Sequence, residues 1–261
     1  MREILRRIDE AFLLIGFDFG KFFKFIKGLP FYFRDYSEFK KQKGNNTDFY
    51  FYKYPILDER EEESGVMSGA YFHQDLHVAR RIYNENPKKH VDIGSQTNGF
   101  VAHVASFREI IIIDIRDQKS KVKNISFKRA DLMKLPEGME NYCDSLSALH
   151  SIEHFGLGRY GDPVDYYGHL KAIKNISKIL QPNGTFYFSV PIGDQRIAFN
   201  AHRVFSVRYL LNILDADFHL KHFSYVDDKG DFHEHVEPEL DKIDSNFGCN
   251  HGCGIFELTK K

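Results

Sequence analysis

The segment His90-Val91-Asp92-Ile93-Gly94-Ser95-Gln96-Thr97-Asn98-Gly99 carries the clearest structural signal in the chain. A short apolar run closes in a glycine-bearing turn, which predicts a buried strand leading into a helix. Downstream, residues 110–113 are four isoleucines ending at Asp114, and residues 125–128 alternate before Ala130-Asp131-Leu132. Two more apolar runs follow at 145–149 and 185–190, the second preceded by Pro182-Asn183-Gly184. Between them, residues 166–180 put Leu170, Ile173, Ile176, Ser177 and Leu180 on one helical stripe. Residues 71–84 also read as a helix, ending before Pro87. Strands alternating with helices predict an α/β, Rossmann-like sheet covered on both faces. Such open sheets bind ligands beyond the carboxyl ends of their strands, where the strand order reverses.

The first turn is not of the dinucleotide type. That turn reads G-x-G-x-x-G, whereas this one reads D-x-G-x-x-x-x-G, with Asp92 two residues ahead of Gly94. A carboxylate there repels phosphate and suits a ligand amino group, directly or through water. Gly94 and Gly99, flanking Ser95, let the backbone approach a ligand because no Cβ intervenes. Asp114 ends the second strand, where a carboxylate accepts from two vicinal ribose hydroxyls. Asp131 ends the third, where it accepts from an adenine amino group with Leu132 against the ring. One strand-ending Asp is often only a helix N-cap. Three in succession, at the ends of consecutive strands, point to an adenosine-bearing ligand.

Residues 90–190 resemble the class I S-adenosyl-L-methionine-dependent methyltransferases in this turn and the acids that follow it. The resemblance implies a seven-stranded sheet with an antiparallel last strand, which Cys253-Gly254-Ile255-Phe256-Glu257-Leu258 suits. A longer resemblance rests on Tyr71-Phe72-His73-Gln74-Asp75, on His150-Ser151-Ile152-Glu153-His154-Phe155-Gly156-Leu157-Gly158-Arg159-Tyr160-Gly161-Asp162, and on Asn200-Ala201-His202-Arg203-Val204-Phe205-Ser206. These segments look like a methyltransferase-like family first catalogued as a nematode domain of unknown function, with bacterial members in capsule and lipopolysaccharide gene clusters. That likeness implies a methyltransferase domain at residues 65–261 behind an N-terminal helical extension at 1–64. It implies S-adenosyl-L-methionine as cofactor and O-methylation of a small-molecule acceptor in surface-polysaccharide synthesis. The acceptor would be a sugar such as a heptose, a nucleotide-activated sugar, or a phosphoramidate modification. The competing reading is a non-catalytic S-adenosyl-L-methionine-binding or scaffold protein of the same fold.

The fourth strand is expected to end at Leu149, so residues 150–154 face the methyl group and the acceptor. Methyl transfer to an alcohol removes one proton, and an imidazole with an ordinary pKa near ~6.5 is a suitable base. His154, beside Glu153, is the expected base; His150 is nearer the strand and suited to hold the cofactor or the loop. A Glu-His pair here also serves as plain loop support. Asn200, His202, Arg203, Arg159 and Asp162 supply groups able to grip a sugar hydroxyl, phosphate or carboxylate, although a loop Arg–Asp pair is often local scaffolding. Tyr71, His73 and Gln74 are expected to touch the cofactor or substrate, with ordinary helix packing as the alternative.

The chain has 261 residues and 36 basic against 37 acidic side chains, a net charge of −1. That balance argues against a protein built to grip a nucleic-acid backbone. Three cysteines cannot make a disulfide framework, which suggests a reducing, cytoplasmic setting. No run reaches the ~20 apolar residues of a membrane span, and no export signal is read. Residues 4–15 carry apolar side chains at helical spacing, and residues 22–33 are aromatic with Lys21, Lys24 and Lys27 interleaved. Packing on the domain, or on the second subunit of a homodimer, is one reading; membrane or partner contact is the other. Residues 40–48 read as a loop and the acidic run 59–63 as a solvated helix face. Cys249 and Cys253, with His233 and His235, are zinc-ligand types without a second matched pair, so no metal is assigned to them. A divalent ion beside Glu153 and His154 is a separate reading.

Overall fold

The computed structural model describes residues 16–60 and 64–261. The expected helix at 4–15 and residues 61–63 of the acidic run lie outside them. The chain divides after Val66 into two compact units.

In the first unit, Asp18 caps helix α1 (Phe19–Lys43), its Oδ1 accepting from the Lys21 amide at 2.9 Å. Lys40, Lys41 and Lys43 sit in the last turn, at the negative end of the helix dipole, and Gly44 (φ 51°) stops it. The helix therefore runs into the stretch expected to be a loop, because lysine and glutamine propagate a helix until the glycine ends it. Gly28 is buried beneath Leu57, whose backbone and side chain a Cβ would strike. Phe51 stacks on Tyr36 and Phe39. Residues 58–60 form a bend, not a helix face. No helix among the described residues is long and apolar enough to cross a membrane.

In the second unit, α2 (Ala70–Glu85) precedes β1 (His90–Ile93). After the first turn come α3 (Ala102–Ala105), β2 (Ile110–Asp114), β3 (Ile125–Arg129) and β4 (Cys143–Leu149). Then follow α4 (Gly168–Ile179), β5 (Leu180–Ile192), the hairpin β6 (Arg196–Ala198) and β7 (His202–Val204), and α5 (Val207–Leu214). The unit closes with β8 (Phe218–Val226), β9 (Phe232–His233), α6 (Leu240–Asp244) and β10 (Gly252–Lys260). The sheet order is β3-β2-β1-β4-β5-β10-β8-β9. Strands β1 to β5 pair in parallel, and β10 runs antiparallel to both β5 and β8. This is the expected sheet with its antiparallel last strand, extended at one edge by the short β9.

Strand alternation splits the core between the two faces. Ile113 packs with Ile173 and Ile176 of α4 and Leu210 of α5; Ile110 and Ile112 pack with Val78 and Ile82 of α2 and Val104 of α3. The register of β4 against β5 steps from Cys143↔Leu180 to Ser145↔Thr185. Pro182-Asn183-Gly184 is thus an irregularity inside β5, where a proline nitrogen needs no ladder partner, not a turn before it. Asp144 accepts from the Lys88 and Lys89 amides at 2.7 and 2.8 Å and so fixes the start of β1 against β4. The strand order reverses between β1 and β4, and their carboxyl ends carry Gly94 and His150.

Candidate active site

Gly94 leaves β1 at φ +64°, with its amide donating to the Ile113 carbonyl at 3.0 Å. A Cβ there would lie 3.4 Å from Ser151 Cβ and 3.7 Å from Asp114 Oδ2. It would intrude on a cavity of about 530 Å³ whose wall includes Gly94, Asp114, Asp131, Leu132, His150, Ser151 and His154. Asp114 Oδ1 accepts from the Arg116 amide and Nε at 2.8 and 3.0 Å, and Oδ2 from Arg116 Nη2 at 2.6 Å. The same guanidinium lies 4.3 Å over the Tyr160 ring. Asp131 Oδ1 accepts from the Met133 amide at 2.9 Å; its Oδ2 carries no hydrogen bond among the described residues.

Asp92 points the other way. It is fully buried and lines neither this cavity nor its neighbour. Its Oδ2 accepts from the Ser95 amide at 3.0 Å, and Oδ1 from Ser95 Oγ and Ser147 Oγ at 2.5 and 2.6 Å. Ser95 Oγ in turn accepts from the Leu149 amide at 3.0 Å, tying the turn to the end of β4. With Ser147 donating to Asp92, His90 Nε2 must donate to Ser147 (3.1 Å), and Nδ1 accepts from Ser145 Oγ at 2.8 Å. Burial pushes the His90 pKa down to about 3, so the ring is neutral, and pushes Asp92 up to about 6. Gly99 lies off the cavities as well: a Cβ there would collide with Asp75 Oδ2 on α2. Burial raises Asp75 to about 6 too.

A second, open cavity of about 1210 Å³ adjoins the first, sharing Gly94, Arg116, His150, His154 and Tyr160. Tyr71, Ser95, Glu153, Arg159 and His202 face it. Glu153 is 1% exposed. Its Oε1 lies 2.9 Å from His150 Nδ1 and 3.8 Å from His154 Nε2, while Oε2 is buried without a hydrogen-bond partner. His154 Nδ1 lies 2.6 Å from the Ala201 carbonyl, which can only accept, so Nδ1 carries the proton. Burial, Arg159 and His150 hold its pKa below the ordinary value against the pull of Glu153. His150 adopts φ +48° and its Nε2 is buried without a partner. Burial disfavours its charged form, but Cys253 and Glu153 outweigh that and raise its pKa well above the ordinary value.

Several expected site residues lie elsewhere. His73 stacks on Phe232 with ring centres 5.5 Å apart. Gln74 is buried, its Oε1 accepting from Ser189 Oγ at 2.6 Å. Asn200 is exposed in the β6–β7 turn and lines neither cavity. Arg203 is buried and donates to the carbonyls of Glu153, Phe155 and Tyr166, pinning the loop after β4. Asp162 faces the first cavity but accepts from the amides of Gly156, Gly158 and Tyr160, which shapes that same loop. Sequence reasoning missed Arg116, whose signal was its place two residues after Asp114. It also missed Tyr160 and His251, whose ring the fold brings 5.1 Å from His202. The three cysteines are free and buried, and burial pushes Cys143 and Cys249 up to about 12. Among the described residues, no metal-ligand cluster includes a cysteine, Glu153 or His154.

The family model described as "Caenorhabditis protein of unknown function, DUF268" matches residues 88–237, more than half of the chain. The chain belongs to the DUF268 family. No curated protein matches it in sequence. Among solved structures, the Burkholderia thailandensis 1,6-didemethyltoxoflavin-N1-methyltransferase, with bound 1,6-didemethyltoxoflavin and S-adenosylhomocysteine, is similar at a TM-score of 0.51. The likeness covers 72% of this chain and 78% of that one at 13% identity. The [4+2]-cyclase SpnF is similar at a TM-score of 0.50 and 17% identity, over 72% of this chain and 80% of that one. The DUF268 domain of this chain thus has a class I methyltransferase-like fold.

Proposed function

We propose that this DUF268 protein is an S-adenosyl-L-methionine-dependent O-methyltransferase for a carbohydrate or nucleotide-activated precursor of a capsular or other surface polysaccharide. The reading rests on one observation: an acid-lined cavity and an imidazole-lined cavity meet at the carboxyl ends of β1 and β4, sharing Gly94, His150 and His154. Residues 65–261 would carry the reaction, and residues 1–64 would be a helical extension. Three free cysteines suit a cytoplasmic setting.

The residues fit the cofactor. Gly94 leaves a cradle that a Cβ would narrow, and the buried, unpartnered Ser151 Oγ and His150 Nε2 belong to its wall. Asp114 would take the ribose hydroxyls on exchange of its Arg116 contacts, Asp131 Oδ2 the adenine amino group, and Leu132 the ring. When bound, S-adenosyl-L-methionine supplies an electrophilic methyl group. Asp92 and Ser95 would act by holding the turn, and Gly99 by admitting Asp75 beneath it. His154 is the base: its proton sits on Nδ1, so Nε2 offers a lone pair. Protonation there would place an imidazolium 3.8 Å from Glu153 Oε1, which stabilises it. Arg159 and His202 would orient the acceptor, with Tyr71 closing that side.

The test is methyl-labelled cofactor transfer to a panel of activated sugars, beside calorimetry with S-adenosylhomocysteine and NAD. Label on one activated sugar and binding of S-adenosylhomocysteine alone are expected. NAD binding without S-adenosylhomocysteine binding overturns the reading. Binding without transfer to any acceptor favours the scaffold reading; because a [4+2]-cyclase has a similar fold, transfer and not binding decides.

A further inference from the structure

The structure assigns a divalent-cation site, best suited to zinc, to His77 of α2 and to Glu234 and His235 just after β9, outside both cavities. One ligand atom from each of the three lies within 4.8 Å of the other two. His77 Nδ1 and Glu234 Oε1 are 3.3 Å apart, close to the ~3.4 Å that two ligands adopt around one tetrahedral zinc with bonds near ~2.1 Å. A second observation points the same way. His77 is 5% exposed, and its Nδ1 is buried without a hydrogen-bond partner, facing Glu234. Buried polar atoms are normally paired, and a cation supplies what this nitrogen lacks.

The surroundings hold the ligands in place. His77 packs against Phe232 and His235, with ring centres 5.2 and 5.7 Å apart. The His235 amide donates to Ser224 Oγ at 2.9 Å, which holds its segment to β8, and the Gly69 amide donates to the Gly230 carbonyl at 3.0 Å, which ties the loop before β9 to the start of α2. Arg80 Nη2 shares Glu234 Oε1 at 2.9 Å, but Arg80 is 59% exposed and free to swing into solvent. A neighbouring trio, His222, His235 and Glu257, is a poorer site. Arg81 and Lys221 already occupy both Glu257 oxygens at 2.8 to 2.9 Å. Two imidazoles and a carboxylate, without thiolate, suit zinc and similar first-row dications. The ion would staple the β9 segment to α2, the helix that carries Tyr71 to the second cavity, with a fourth position open to water.

Zinc chloride titrated into the metal-stripped chain of 261 residues tests this, followed by calorimetry and thermal unfolding, with cobalt as a spectroscopic stand-in. We expect one equivalent bound, a raised Tm, and cobalt ligand-field bands without thiolate charge transfer. Glu234→Ala and His235→Ala, both at exposed positions, should weaken zinc binding by ~10²-fold or more and leave the circular dichroism unchanged. His222→Ala and Cys249→Ser should bind zinc as the wild type does. No stoichiometric zinc uptake by the wild type overturns the site. So does unaltered uptake by His235→Ala, or a loss in His222→Ala as large as that in His235→Ala.

Discussion

Asp92 and Asp114 lie near the carboxyl ends of neighbouring parallel strands and face opposite environments. Asp92 is sealed among Ser95, Ser147 and His90; Asp114 is 15% exposed on a cavity wall, with a half-exposed arginine as its partner. The difference separates two layers at the carboxyl end of the sheet. In the sealed layer, with Asp75 and Gly99, polar groups satisfy one another and set the shape of the turn. In the open layer, with Asp131, Glu153 and His154, polar groups keep unused valence toward the cavities. Changes in the first layer should register in stability, and changes in the second in affinity or rate.

The open layer should respond most strongly. His154→Gln should lower single-turnover methyl transfer by ~10²–10⁴-fold, with S-adenosylhomocysteine affinity and Tm close to wild type. Because the neutral ring is the base, the wild-type rate should fall with acid, with a midpoint below the ordinary imidazole value of 6.5. Undiminished turnover in both His154→Gln and His150→Gln would move the base to His202.

Next comes the sealed layer. Burial raises the Asp92 pKa to about 6 from its ordinary value of 3.8. Between those values the folded state holds a proton that the unfolded chain has lost, so this residue contributes stability at low pH that disappears as the pH rises through about 6. Holding the proton over that pH range is worth about 3 kcal/mol. Asp92→Asn removes the titration and leaves the Ser95 and Ser147 donors poorly paired. From pH 7 to pH 4, urea unfolding should therefore show the wild type gaining on the variant by up to about 3 kcal/mol. A difference independent of pH would break the contrast between the layers.

Asp114→Ala should weaken S-adenosylhomocysteine binding by ~1.5–3 kcal/mol, the cost of losing hydrogen bonds to a charged acceptor, with little change in unfolding free energy. Calorimetry on a folded variant with unchanged affinity would remove Asp114 from the site. The smallest effect concerns its partner. Arg116 is 51% exposed, and such a pair is worth only about 0–1 kcal/mol. Arg116→Ala should thus tighten S-adenosylhomocysteine binding by roughly fivefold or less. Weaker binding would instead make Arg116 a ligand contact.

The strands were legible from residue order because apolar runs such as the four isoleucines before Asp114 must be buried wherever they pack. The acids at the strand ends were legible for the same local reason: Gly94, Asp114 and Asp131 follow their runs directly, and all three reach one cavity. The direction of Asp92 was not. It depends on register, which sets Asp92 beside Ser147 and His90 beside Ser145 across β1 and β4, and register is fixed by the whole sheet. Nor could residue order show that Gly99 must stay bare for Asp75, that His251 comes to lie against His202, or that Arg203 spends its donors on loop carbonyls. The α/β alternation, the ligand-binding end of the sheet and the residue types gathered there could be read from residue order, since these follow from local periodicity and strand-end position. Which polar groups are sealed and which are open is set by the folded chain, because it depends on which partners distant segments bring within hydrogen-bond reach.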